Sequence, residues 1–333
     1  MASDLSKYTI GWITALPIEL AAATVMLDEE HPEPPLDEHD TTLYTFGSIG
    51  RHNVVIACLP GGQTGLSAAT AAAIQMSNKF KFVKHGFMVG IGGGVPSEKA
   101  DIRLGDVVVS LPNEDNGGVV QYDFGRAEAG GRFHPTGHLN TPPKLLLAVV
   151  NLARSNCILG RSKHATHLEN FSEDVFCRSS AGPDMLFQPA YSHAGRATCK
   201  DCNSEMLVKR TPRISEEPSD RAFPVRIHFG TIASGNQVIK DARKRDEISE
   251  RLGGHILCFE MEAAGLMNIF PCLVVRGICD YADSHKQDRW QGYAAATAAA
   301  YAKELILLIP TAHASSSVSI RLLESASSAE KGQ

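Results

Sequence analysis

Residues 8–30, YTIGWITALPIELAAATVMLDEE, divide at Pro17: an apolar run precedes it, and a stretch built on Ala, Leu and Glu follows. The run, residues 8–17, reads as a largely buried strand. Proline suits the first turn of a helix because its missing N–H would have no partner there in any case. A strand that passes straight into a helix is the repeating unit of an α/β protein, and the same alternation continues outward along the chain. Apolar runs at 53–62, 85–94, 105–112, 224–235 and 271–280 end in Gly, Pro or polar turns. They read as buried strands, with only VRIHF alternating clearly. Between several of them lie the helical stretches GLSAATAAAIQMSNKF, KLLLAVVNLAR, EMEAAGLMNIF and WQGYAAATAAAYAKELILLI. The pattern predicts an α/β sandwich.

Two segments depart from it. Residues from about 154 to 221 are rich in Ser, His, Arg, Cys and Pro and too long for an ordinary loop, so they read as an insertion. Residues 311–333 are small and polar and read as a flexible tail. The chain of 333 residues is 43% hydrophobic and 21% charged, enough for a substantial core. Its net charge is −5 with no Lys/Arg block, which argues against a nucleic-acid partner. No apolar stretch reaches the length of a membrane span and no secretory leader is visible, so we expect no membrane partner and a cytoplasmic location. The eight cysteines lie mostly in apolar runs and read as reduced, buried side chains.

The candidate chemistry begins with CFEMEAAGL, residues 258–266, where Glu260 and Glu262 flank Met261 inside an otherwise apolar run. Burying a carboxylate is costly unless it has a partner, so these two hold either the fold or a ligand. Asp280 closes the strand LVVRGICD, and Glu19 follows the first strand at the start of a helix. Strand ends and helix starts on one edge of an open sheet are where ligands bind. Each glutamate alone could merely favour a helix N-terminus, worth about 0.3–1 kcal/mol. Together they point to a site. The turn VGIGGGVP, with Gly92 and Gly93, allows close backbone approach to a ligand, but GIGGG is not a dinucleotide fingerprint. Cys199 and Cys202, with His193 upstream, supply three of the four ligands of a structural zinc site, and no second CxxC exists. We therefore expect no metal and no cofactor. Serine-hydrolase and P-loop motifs are absent.

The set IGWITALPIEL, VGIGGGVP with IRLGDVVVS, GTIASGNQVIKD, FEMEAAGL and VVRGICDYAD resembles the purine nucleoside phosphorylase and nucleosidase superfamily. It is most similar to the nucleoside-phosphorylase-like domain common in fungi, often an N-terminal effector domain of larger immune-receptor-like proteins. The resemblance runs from Tyr8 to Pro310 apart from the insertion, and would make this a free-standing version. It implies a three-layer sandwich, a twisted mixed β-sheet flanked by helices, over residues 8–310.

The resemblance also assigns roles. Glu262 would bind ribose hydroxyls, Met261 would pack the sugar, and Glu260 would support both. Asp280 would hydrogen-bond and protonate the purine at N7, and Glu19 would activate the attacking water. Val238 and Ile239 would lie by the base. Cleavage of an N-ribosidic bond through an oxocarbenium-like transition state needs this division between an acid at the leaving base and anionic groups at the sugar. Asp280, behind an apolar strand, is placed for desolvation to favour its protonated form. Phosphorylases of the superfamily hold phosphate with arginines and a serine; this chain has Met88 and Ile91 at the matching places, so water is the expected nucleophile. The implied function is hydrolysis of adenine nucleosides or nucleotides, adenosine or ATP, with phosphorolysis as runner-up and a non-catalytic nucleoside sensor as the alternative class. Arg126, Arg132, Lys240 and Arg243 are candidates for meeting a 5′-triphosphate. The only partner implied besides the small-molecule purine is a second copy of the chain. In such a homo-oligomer Tyr122, Phe124 and Phe133 are candidates for residues lent to a neighbour's site.

Overall fold

The computed structural model describes residues 5–34, 42–131, 133–193, 198–213 and 225–311. The expected tail therefore lies, beyond its first residue, outside the described residues, as does Arg132.

The strands are β1 (Tyr8–Thr14), β2 (Glu29–Glu30), β3 (Tyr44–Ile49), β4 (His52–Cys58), β5 (His85–Gly94), β6 (Val107–Ser110), β7 (Val119–Gln121), β8 (Gly125–Ala127), β9 (Phe133–Pro135), β10 (Ile227–Ser234), β11 (Ile256–Glu260) and β12 (Cys272–Asp280). The α-helices are α1 (Pro17–Val25), α2 (Leu66–Lys79), α3 (Lys144–Ile158), α4 (His164–Leu168), α5 (Arg178–Ala181), α6 (Ala242–Arg251), α7 (Ala263–Leu266) and α8 (Gln291–Leu307). Ten of the strands form one mixed sheet in the order β11-β10-β6-β12-β5-β1-β4-β3-β2, with β7 added beside β10. β8 and β9 form a separate hairpin.

Apolar side chains pack on both faces of the sheet, which makes the expected three layers. On one face lie Ala22 and Ala23 of α1, Leu146, Val149 and Val150 of α3, and the alanines of α8. On the other lie Ala69, Ala72, Ala73 and Met76 of α2 and Leu266 of α7. β12 is buried along its whole length, as its largely apolar run predicts, and the burial includes the charged Arg276 and Asp280. Each Val, Leu or Ile so buried contributes about 1.5–3 kcal/mol relative to exposure. α8 is buried almost all round, and its run of alanines lets it lie close over β12.

The sheet also curls. β5 pairs in parallel with β1 and β12, and its last residues, Gly93 and Gly94, pair antiparallel with Phe259 and Cys258 of β11. The curl brings the carboxyl ends of β5, β11 and β12 together. α3 runs on to Ile158, so the helix continues past position 154, where the polar composition begins. The irregular segment that follows is held on the body by Arg213, paired with Asp106 at 2.6 Å, by Arg210, which donates to the Ile102 carbonyl at 3.2 Å, and by Arg178 stacked over Trp290. Among the described residues, no helix is long and apolar enough to cross a membrane.

Candidate active site

The curled edge of the sheet encloses a cleft of about 400 Å³. It is lined by Glu19, Gly92, Gly93, Val238, Ile239, Glu260, Met261, Glu262 and Asp280, nine residues singled out in the sequence, and by others that were not, among them Thr64, Gln237, Phe259, Lys286 and Gln291. The volume is in the range that takes a nucleoside-sized molecule.

Glu19 is placed by the β1–α1 turn. Its Oε2 accepts the N–H groups of Ala15 at 2.7 Å and Leu16 at 2.9 Å, the reach-back of a helix capping residue. Its Oε1 accepts the N–H of Ile91 across the cleft at 2.8 Å. Gly90 permits this approach, since a Cβ there would stand 2.3 Å from Oε1. Burial raises the proton affinity of Glu19 above the ordinary carboxylate value, against the lowering effect of Arg276 and the three amides.

Glu260 ends β11, and the turn into α7 carries Met261 and Glu262. The pair is held by Arg276 of β12, which is 1% exposed. Its Nη2 pairs with Glu260 Oε2 and lies 3.3 Å from Glu262 Oε2, while its Nη1 lies 3.9 Å from Glu19 Oε1. One arginine thus stands behind three carboxylates. Glu260 also accepts the N–H groups of Glu262 and Ala263. Glu262 accepts the N–H of Gly65 at 3.2 Å, and burial pushes its proton affinity up to about 7, with Arg276 opposing and Glu260 and Glu19 assisting. Its other face is toward the cleft.

Asp280 pairs in register with Gly93, where a Cβ would stand 2.7 Å from Asp280 Oδ1. The next turn puts Ala282 at φ 50°, a conformation uncommon outside glycine, and this aims its N–H at Asp280 Oδ1 at 2.7 Å. Oδ2 is paired with Lys286 Nζ at 2.7 Å and accepts the Cys279 thiol at 3.1 Å. Desolvation alone is therefore not the environment of this carboxyl: an ammonium group sits against it.

The remaining candidates separate. Ile239 is buried in the cleft wall and Val238 is 53% exposed at its rim. Tyr122 is 2% exposed, packed against Phe259, and its hydroxyl donates to Gln237 O at 2.7 Å. It supports its own cleft and is too buried to be lent to a neighbour. Phe124, 56% exposed, and Phe133 lie at the β8–β9 hairpin, outside the cleft lining. Met88 is a core residue, and Ile91 presents its N–H to Glu19. Of the basic candidates described, Lys240 lines the cleft, while Arg126 and Arg243 are exposed away from it.

A family model described as the phosphorylase superfamily matches residues 9–308. The chain belongs to the phosphorylase superfamily. Within that superfamily it is 46% identical over 307 residues to a nucleotide-binding leucine-rich repeat (NLR)-like protein of Hyaloscypha variabilis, covering 91% of this chain and 29% of that one. It is 26% identical to the ATP nucleosidase Cap17 of Escherichia coli, covering 86% of this chain and 48% of that one. The chain thus spans less than half the length of both relatives. The solved structure of the Helicobacter pylori 5′-methylthioadenosine/S-adenosylhomocysteine nucleosidase superposes with a TM-score of 0.58 at 15% identity, covering 90% of this chain and 98% of that one. The likeness establishes the phosphorylase-superfamily fold for this sheet and its helices.

Proposed function

We propose that this chain is a purine nucleosidase that hydrolyses the N-ribosidic bond of adenine nucleosides or nucleotides. The observation that carries the choice of water over phosphate is the position of Glu19. Its carboxylate takes the N–H groups of Ala15, Leu16 and Ile91, the backbone donors that an inorganic anion at this edge of the cleft would need. A phosphate there would meet a carboxylate, whereas a water would meet a base. A buried carboxyl with raised proton affinity is the better base near neutral pH.

In this reading Glu262 accepts the ribose hydroxyls, and Glu260 with Arg276 fixes it in place. Asp280 stands opposite, where it can give a proton to purine N7 and accept from a 6-amino group, a pairing that a 6-oxo substituent would oppose. Lys286 keeps Asp280 positioned until the base arrives. The relation to the ATP nucleosidase Cap17 supports a 5′-phosphorylated substrate, and Lys240 at the cleft lining offers it a charge-assisted partner. Phe124 and Phe133 fit the proposal of residues lent to a second copy.

The substrate class is tested by supplying adenosine, AMP, ATP, inosine, guanosine and uridine in phosphate-free buffer. Release of adenine well ahead of hypoxanthine, guanine or uracil is expected; preference for a 6-oxopurine or for uridine would refute the role given to Asp280. The pH profile tests the sugar side. Glu262 is neutral below about 7 and anionic above it, and only the anion accepts two hydroxyl donors fully. Hence kcat/KM is expected to rise as pH increases through about 7. Glu262→Gln should lower kcat/KM and remove that limb. An unchanged limb in the variant would mean another group sets it.

A further inference from the structure

His193, Cys199 and Cys202 lie in the irregular segment before β10, and His285 lies in the turn after β12, five residues beyond Asp280. Their four ligand atoms all fall within 4.8 Å of one another. We propose that these four side chains form a structural zinc site, tetrahedral and closed, which fastens the insertion to the loop carrying Lys286.

The distances match the chemistry. With Zn–S near 2.3 Å and Zn–N near 2.05 Å, a tetrahedron has a sulfur-to-nitrogen edge of about 3.6 Å. His285 Nδ1 lies 3.7 Å from the sulfurs of both Cys199 and Cys202. The outer groups are also in place. His285 Nε2 is 3.1 Å from the Tyr191 carbonyl, which holds the proton on Nε2 and leaves Nδ1 as the ligand. Gln287 Nε2 stands against Cys199 Sγ at 2.6 Å, an amide donor beside that sulfur. Phe187 stacks on the His285 ring at 3.9 Å, and Asp283 accepts the His285 N–H at 2.9 Å. Cys199 and His285 are buried and His193 and Cys202 partly so, which gathers two thiols and two imidazoles at one place. Two sulfurs with two imidazole nitrogens select zinc over the oxygen-seeking cations, and four protein ligands leave no open position for a substrate.

The consequence for the cleft follows from connectivity. Lys286 is adjacent to His285 and pairs with Asp280, so a metal on His285 fixes the loop that presents that lysine. This consequence rests on the nucleosidase reading; the metal site does not.

The test uses the full chain, expressed in zinc-supplemented medium and dialysed against metal-free buffer. Elemental analysis is expected to find one zinc per chain, lost in the Cys199→Ser/Cys202→Ser variant. Replacement by cobalt is expected to give the intense thiolate-to-cobalt charge-transfer band and the visible bands of a tetrahedral site. Gln287→Ala, which keeps all four ligands, should weaken zinc about 10- to 100-fold in a chelator competition. Dialysed protein that holds no more zinc than the double-cysteine variant would overturn the proposal, as would a weak octahedral cobalt spectrum or a Cys199–Cys202 disulfide found by mass analysis of the alkylated chain. None of these readouts depends on nucleoside cleavage.

Discussion

Asp280→Asn is expected to lower kcat on adenosine or ATP by about 10²- to 10⁴-fold, the usual contribution of a general acid. An amide accepts the Ala282 N–H as the carboxylate does, so the turn keeps its shape, but it has no proton to give to N7. Lys286, already partly exposed, can turn to solvent when its partner is neutral, so the loss should fall on turnover and not on folding. A riboside whose leaving group is p-nitrophenolate needs no protonation, and the same variant should cleave it at close to the wild-type rate. An equal loss on both substrates would mean that Asp280 acts by holding the loop and not by donating a proton.

Arg276→Met is the second large effect, and it concerns stability. The arginine is a buried cation behind three carboxylates, and removing one partner of such a set costs about 3–5 kcal/mol because charge is left buried without compensation. Methionine keeps most of the volume, so little of the loss should come from a cavity. The sign with pH follows from the raised proton affinities of Glu19 and Glu262: acid neutralises them, and the deficit should shrink as pH falls. Urea unfolding at neutral and acid pH measures this directly. Adding Glu260→Gln, which can still accept the N–H groups of Glu262 and Ala263, should recover part of the loss. A single variant within about 0.5 kcal/mol of wild type, the ordinary range for a surface change, would show that the cluster does not depend on its arginine.

Much of this site was legible before the fold was known, and the reasons are local. Pro17 marks the β1–α1 junction that places Glu19, and a carboxylate in an apolar run announces a need for a partner. The partner itself is readable by the same logic, since Arg276 stands in the apolar run PCLVVRGICD, yet the resemblance assigns it no role. β11 is absent from the strands read in the sequence because ILCFE is five residues long and runs into the helical stretch EMEAAGLMNIF; the sheet curl onto β5 decides it. The same stretch yields a helix of only four residues, Ala263–Leu266. The β3–β4 hairpin escaped notice beside the stronger apolar run of β4. Lys286 and His285 depend on the turn after β12, which no spacing rule describes. With His285 83 residues beyond Cys202, three zinc-type ligands in sequence gave no sign of the fourth.

The central claim is that water, held at Glu19, attacks the ribose. It is tested most directly by identifying the sugar released from adenosine or ATP with and without inorganic phosphate. The account predicts free ribose, or ribose still carrying its 5′-phosphates, at a rate that added phosphate does not increase. Ribose 1-phosphate, or its 5′-phosphorylated counterpart, formed only when phosphate is present would contradict it.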